Sequence, residues 1–145
     1  MDYYLNKEHT FQRLLAEYKK YQSLVVAYDF DNTVYDFHKN GWQFRQTIQL
    51  LKALKELGCY LIIFTANEDE GFVKNHCITN EIPFDGINKN PPFYPSMSRK
   101  VYYNILLDDR AGLAETFEHL TRLIKQVHKE RSSGDDEIVI PSLET

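Results

Sequence analysis

An α/β fold is predicted for this chain: a single-domain, three-layer sandwich with a mostly parallel central sheet. Three observations predict it. Short apolar runs lack the alternation of a half-solvated strand, so they read as strands buried on both faces. Segments of helical periodicity separate those runs, which is the pattern of βαβ units. The sequence has 145 residues, enough for one domain with a covered sheet.

The first element is a helix, because Phe11, Leu14, Leu15, Tyr18 and Tyr21 recur at helical spacing with Glu and Lys between them. Leu24 to Phe30 is the first buried strand, apolar up to Asp29. A second helix carries Phe44, Ile48, Leu51 and Leu54 on one face and stops at Gly58, a residue suited to the left-handed turn after a helix. Tyr60 to Phe64 is the second strand. Asn67 followed by Glu70 resembles a capping box, with Glu68 and Asp69 favourable at the positive helix end, so a short helix is expected from Asn67 to about Asn80. A brief strand is expected from Pro83 to Ile87. Asn88-Lys89-Asn90-Pro91-Pro92 is a loop, and Tyr103 to Leu107 is the last strong strand. Leu113, Phe117, Leu120, Ile124 and Val127 mark the final helix. The domain is therefore expected over 1–131. Residues 132–145 read as a flexible C-terminal tail in which Ile138-Val139-Ile140 is a candidate edge strand or docking segment.

Composition excludes several classes. The apolar fraction is 43% and the charged fraction 26%, ordinary for a globular protein. No apolar run approaches the ~20 residues that span a bilayer. Met1-Asp2-Tyr3-Tyr4 does not begin a secretory signal, so the expected compartment is the cytoplasm. Cys59 and Cys77 have no zinc-ligand or CxxC spacing and read as reduced, packed thiols. A net charge of −4 argues against broad nucleic-acid binding, leaving only a local basic patch open.

In open parallel sheets, sites form beyond the carboxyl ends of the strands. Three strands here end in polar residues: Asp29-Phe30-Asp31-Asn32-Thr33, Thr65-Ala66-Asn67, and Asp108-Asp109-Arg110. Carboxylates converging at one rim repel, and a divalent cation relieves that; a cluster of hard oxygens favours Mg2+. Asp29 and Asp31, two apart in an extended segment, face the same side. One of such a pair can attack phosphorus while the other handles protons; capping the next helix is the alternative. Thr65 is a candidate for holding a phosphoryl oxygen, or a helix cap. Lys100, with Lys89 as competitor, is a candidate for neutralising phosphate charge. Asp109 is a candidate N-cap ahead of Ala111, and Arg110 a candidate ion-pair partner for the adjacent acids.

The order Asp-x-Asp-x-Thr, Thr, Lys, Asp-Asp, each at or before a strand end, resembles the haloacid dehalogenase-like phosphohydrolase superfamily. The resemblance covers about Leu24 to Leu123 and rests most on Val-Ala-Tyr-Asp-Phe-Asp-Asn-Thr-Val and Ile-Leu-Leu-Asp-Asp-Arg-Ala. It implies a Rossmann-like sheet and a Mg2+-dependent phosphomonoesterase that passes through a phospho-aspartate on Asp29. Asp31 would be the acid and base. Asp29, the backbone carbonyl of Asp31, and Asp109 would hold the metal, with Asp108 a further or alternative ligand. Thr65, Ala66, Asn67 and Lys100 would bind the phosphate. Asn32 stands where many relatives carry Gly, with no loss of chemistry expected.

The resemblance also implies a cap, but both gaps are too short for one. Val34 to Gly41 holds only a flap, and Glu68 to Arg99 is consumed by a helix, a strand and the proline loop. A capless member has an open site, which suits a large substrate or a partner subunit serving as lid. Phe37, His38 and Trp42 lie in or beside the flap, where they either stack on a leaving group or, for Trp42, anchor the next helix; His38 is expected to be exposed. Asn88, Asn90 and Tyr94 are candidates for the opposite wall. The substrate is open between a small phosphorylated metabolite and a nucleic-acid end. Two rivals remain: a binding or scaffold protein that kept the fold without activity, and a phospho-receiver domain. The receiver expects its acid pair and its lone aspartate in the reverse order.

Overall fold

The computed structural model describes residues 1–133. The expected tail, including Ile138-Val139-Ile140, therefore falls outside the described residues apart from Ser132 and Ser133. Helix α1 spans Lys7–Tyr21, β1 Val25–Tyr28, α2 Arg45–Glu56, β2 Tyr60–Ile63, α3 Glu70–Thr79, β3 Gly86–Ile87, β4 Ile105–Leu107 and α4 Leu113–Arg131. The strands form one parallel sheet in the order β3-β2-β1-β4. The single-domain α/β sandwich read from the sequence is thus the observed architecture. The four strands among the described residues lie where strands were read, trimmed to the residues that complete ladder hydrogen bonds.

Register divides each strand between two faces. Val26, Tyr28, Leu61, Ile63, Ile105 and Leu107 join one core with the buried residues of all four helices, among them Phe11, Leu51, Cys77 and Leu123. The other face, carrying Val25, Ala27 and Ile62, meets Val101, Tyr102 and Tyr103 of the segment between β3 and β4. That connection thus forms the third layer without a helix. Pro91, Pro92 and Pro95 explain why: each lacks an amide donor, and each disfavours helical backbone in the residue before it.

Local signals place the elements. Asn6 caps α1 by accepting from the amides of Glu8 and His9. Gly58, just beyond α2, has φ +95°, as expected of its position. Helix α3 begins at Glu70 rather than Asn67. Asp69 is its cap, with a carboxylate oxygen 3.0 Å from the amide of Phe72. The Asn67 side chain instead accepts from the amide of Asp69, an Asx turn that leads into the cap. Asn104, buried at the start of β4, accepts from the Val25 amide at 2.7 Å and donates to Glu17, tying α1 to the sheet. Among the described residues no helix is long and apolar enough to cross a membrane.

Strand order fixes where a site can lie. The chain steps from β1 to β2 to β3 in one direction, then returns to place β4 on the other side of β1. The carboxyl end of β1 therefore sits at the point where the direction of winding reverses, and the crevice there is not bridged by a crossover.

Candidate active site

Asp29 follows β1 directly. Its amide donates to the Leu107 carbonyl at 2.8 Å, so the pairing of β1 with β4 continues one residue past the strand and fixes the Asp29 backbone. Beyond it the chain turns. The amides of Thr33, Val34 and Tyr35 all point to the Phe30 carbonyl, and the Asn32 amide donates to the Tyr35 carbonyl. Asn32 adopts φ +61°. Glycine takes that conformation without strain and asparagine tolerates it, so Asn32 fits this turn.

The acids predicted at the strand ends do converge. Asp29, Asp108 and Asp109 each present a carboxylate oxygen, and the three oxygens lie within 4.8 Å of one another. Asp31 lines the same cavity, about 470 Å³ in volume, with Asn32, Phe37, His38, Phe64, Thr65, Ala66 and Arg110. Asp109 is not a helix cap, since α4 begins after Gly112 without a side-chain cap. Asp108 accepts from the amide of Arg110 at 2.8 Å, and its carbonyl accepts from the amide of Ala111. Its backbone and one carboxylate oxygen are thus fixed by the turn into α4.

This crowding has an electrostatic signature. Burial, then the charges of Asp108 and Asp109, push the Asp29 carboxyl up to about 7 from an ordinary 3.8. Burial and then Asp109 also raise Asp31. One Asp31 oxygen, Oδ1, is buried without a hydrogen-bond partner among the described residues. The donor set tests well for a hard divalent cation: carboxylates alone, mutually repelling, close enough to share one ion.

Thr33 is a site residue that sequence reasoning did not single out. It is fully buried. Its hydroxyl lies 3.4 Å from Asp29 Oδ2 and 3.3 Å from Asp109 Oδ1, and it accepts from the Asp109 amide at 3.3 Å. It therefore couples the loop after β1 to the loop after β4. The Asp-x-Asp-x-Thr motif contained it, but its partner is 76 residues away.

Thr65 and Ala66 line the cavity, whereas Asn67 does not. The Thr65 backbone is clamped by Asn88, whose side chain accepts from the Thr65 amide at 2.8 Å and donates to its carbonyl at 2.7 Å. Asn88 thus acts behind the site rather than as the opposite wall. Asn90 accepts from the Tyr102 amide, and Tyr94 stacks on Tyr102 at 4.0 Å. Tyr94 lines a separate cavity beside Val25, at the amino end of β1.

Neither lysine lines the cavity. The Lys100 ammonium lies 5.8 Å from the centre of the Tyr103 ring, which packs against Phe64 at 6.3 Å. Lys89 lays its aliphatic stem over Gly86. The cationic chain inside the cavity is Arg110, which has no ion-pair partner among the described residues; the expected pairing with its neighbouring acids does not occur. Phe37 and His38 do line the cavity, and His38 is exposed. Trp42 lies outside it, its ring 6.5 Å from Phe44 beside the start of α2.

No family model matches this chain, and no curated protein matches it. Among solved structures it is similar to one described as the conserved protein coded by a locus from Bacteroides thetaiotaomicron. The identity is 24% and the TM-score 0.58, over 72% of this chain and 92% of that one. That likeness supports the fold alone.

Proposed function

We propose that the chain is a Mg2+-dependent phosphomonoester hydrolase of the haloacid dehalogenase-like kind, working through a phospho-aspartate on Asp29. The observation that carries this reading is the convergence of Asp29, Asp108 and Asp109 within 4.8 Å beside Asp31, at the end of β1. Structural acids are rarely stacked this way, because mutual repulsion destabilises them unless function needs the cluster.

Asp29, Asp109 and the backbone carbonyl of Asp31 are the proposed ligands, with Asp108 beside them. A bound Mg2+ would neutralise the acids and offset charge on the phosphoryl oxygens. The Asp29 carboxylate attacks phosphorus in line, and the bond from phosphorus to the ester oxygen breaks. Asp31, whose carboxyl is pushed up by burial and then by Asp109, gives a proton to the departing oxygen. Asp31 then takes a proton from water as the water attacks phosphorus, breaking the bond to Asp29 and releasing phosphate. The Thr65 hydroxyl and the amide of Ala66 orient the phosphoryl oxygens. Thr33 holds Asp29 at the angle of attack through its hydroxyl. A membrane has no part in this reading, and a partner subunit remains the proposed lid for an open cavity.

The deciding experiment is borohydride trapping during turnover of an activated ester, with mass analysis of the Asp29 peptide. Labelling from ¹⁸O-water does not separate the routes, because attack of water on phosphorus puts the label in phosphate with or without a phospho-aspartate. Reduction of the acyl phosphate converts Asp29 to homoserine, and that conversion is expected. Its absence in Asp31→Asn, where breakdown of the intermediate is slowed, would sink the covalent route.

A further inference from the structure

Phosphate and metal chemistry account for the floor of the cavity but not for its walls. Phe37 is 54% exposed and Phe64 is 37% exposed, and both line the cavity that holds Asp29. They reach it from different elements: Phe37 from the loop after β1, Phe64 from the end of β2. Both are held in place. The Phe37 amide donates to the Tyr35 carbonyl at 3.0 Å, its ring meets His38 edge to face at 5.1 Å, and Phe64 is backed by Tyr103. Neither a phosphoryl group nor a hydroxylated sugar phosphate would cover two aromatic faces. A planar ring would, because aromatic faces stack on flat rings and every nucleobase offers one.

A second observation separates kinds of ring. Arg110 lines the same cavity, and its guanidinium has no ion-pair partner among the described residues. Its planar fork of N–H donors can meet phosphate charge or the acceptor atoms of a base edge, which a phenyl ring lacks. The volume of about 470 Å³ lies within the range of small-ligand cavities.

From these walls we infer that the substrate is a nucleoside monophosphate, with the base against Phe37 and Phe64 and its edge or its phosphate on Arg110. This rests on the phosphatase reading and narrows it. Water and the nucleotide give a nucleoside and orthophosphate; the ester P–O bond breaks, and the proton passes to the leaving oxygen.

The test compares kcat/KM for adenosine monophosphate, glucose 6-phosphate, a phosphotyrosine peptide and acetyl phosphate, with Mg2+ present. The nucleotide is expected to exceed the sugar phosphate by at least tenfold. Phe37→Ala and Phe64→Ala should each lower the ratio of nucleotide to acetyl phosphate by about tenfold. Phe93→Ala, near the amino end of the strands, should not change it. Preference for the sugar phosphate or the peptide, or equal losses on every substrate, overturns the inference while the phosphatase reading stands. If even acetyl phosphate is not hydrolysed, the phosphatase reading fails. Calorimetry with a nucleoside phosphonate, whose C–P bond resists hydrolysis, then decides the matter: binding weakened about tenfold by Phe64→Ala sustains the nucleotide site, and no binding removes it.

Discussion

Replacing Asp29 by asparagine is expected to make the metal-free protein more stable while abolishing turnover. In the fold the Asp29 carboxyl keeps its proton up to about 7, against 3.8 for the ordinary group. Between those values the folded state binds a proton that the unfolded chain has released. Stability must therefore fall as pH rises through this window, and be level below it and above it. The gap of about 3 pH units is worth about 4 kcal/mol at 1.36 kcal/mol per unit. Asp29 is only partly buried, so solvent screening reduces this to about 2 kcal/mol. Asparagine occupies nearly the same space and carries no charge to repel Asp108 and Asp109. The assay is urea unfolding followed by circular dichroism, with a chelator present, at pH 5 and pH 8. Wild type should be less stable at pH 8 than at pH 5 by about 1 kcal/mol from this group, because pH 5 already lies inside the window, and Asp29→Asn should lack that component. At pH 8 the variant should melt about 4–8 °C higher. Mg2+ should stabilise wild type far more than the variant. A variant less stable than wild type at pH 8 without metal would refute the reasoning, because the acids would then not be strained by one another.

Thr33→Val removes the hydroxyl beside Asp29 and Asp109 and leaves the Asp109 amide without its acceptor. A loss of about 1–2 kcal/mol in stability and at least tenfold in kcat is expected by urea unfolding and steady-state assay; normal activity would remove Thr33 from the site. Asp109→Ala should weaken Mg2+ binding, measured by calorimetry, more than Asp108→Ala, because one Asp108 oxygen is already engaged by the Arg110 amide. The reverse ranking would exchange their roles. From sequence, Lys100→Ala carries an expected loss of 10²-fold, about 3 kcal/mol of transition-state stabilisation. With its ammonium over Tyr103 rather than in the cavity, a loss of tenfold or less is expected, and Arg110→Ala should cost more. A hundredfold loss in Lys100→Ala alone would restore the lysine to the phosphate.

The strand ends were legible because burial on both faces demands uninterrupted apolar runs. An acid immediately after such a run is conspicuous: Tyr28 is followed by Asp29 and Leu107 by Asp108. Which residues those acids would meet followed from sheet topology, since parallel strands bring their carboxyl ends to one edge. Less local relations were not legible. Thr33 and Asp109 touch through a hydroxyl 76 residues away, and nothing in either neighbourhood signals the pairing. The start of α3 was misplaced because Asn67 and Asp69 both satisfy cap chemistry, and only the backbone path decides between them. The lysine was uncertain for a related reason. The stretch from Asn88 to Asn104 has neither helical nor strand period, so its side chains could not be assigned a direction. Arg110 was read as a partner for its neighbours because proximity in sequence suggested it. The turn into α4 instead leaves the guanidinium in the cavity.

The placement of β4 beside β1 also governs when the site comes into being. Val25 and Asn104, joined across that pair, are 79 residues apart, while β1 and β2 close over a much shorter loop. As the chain leaves the ribosome, α1 to α3 and the β1–β2 pair can form while Asp108 and Asp109 are still untranslated. A growing chain in that state carries Asp29 and Asp31 without the acids that complete the cluster. The proposed cation site is thus completed only once β4, the strand that closes the sheet, has been made.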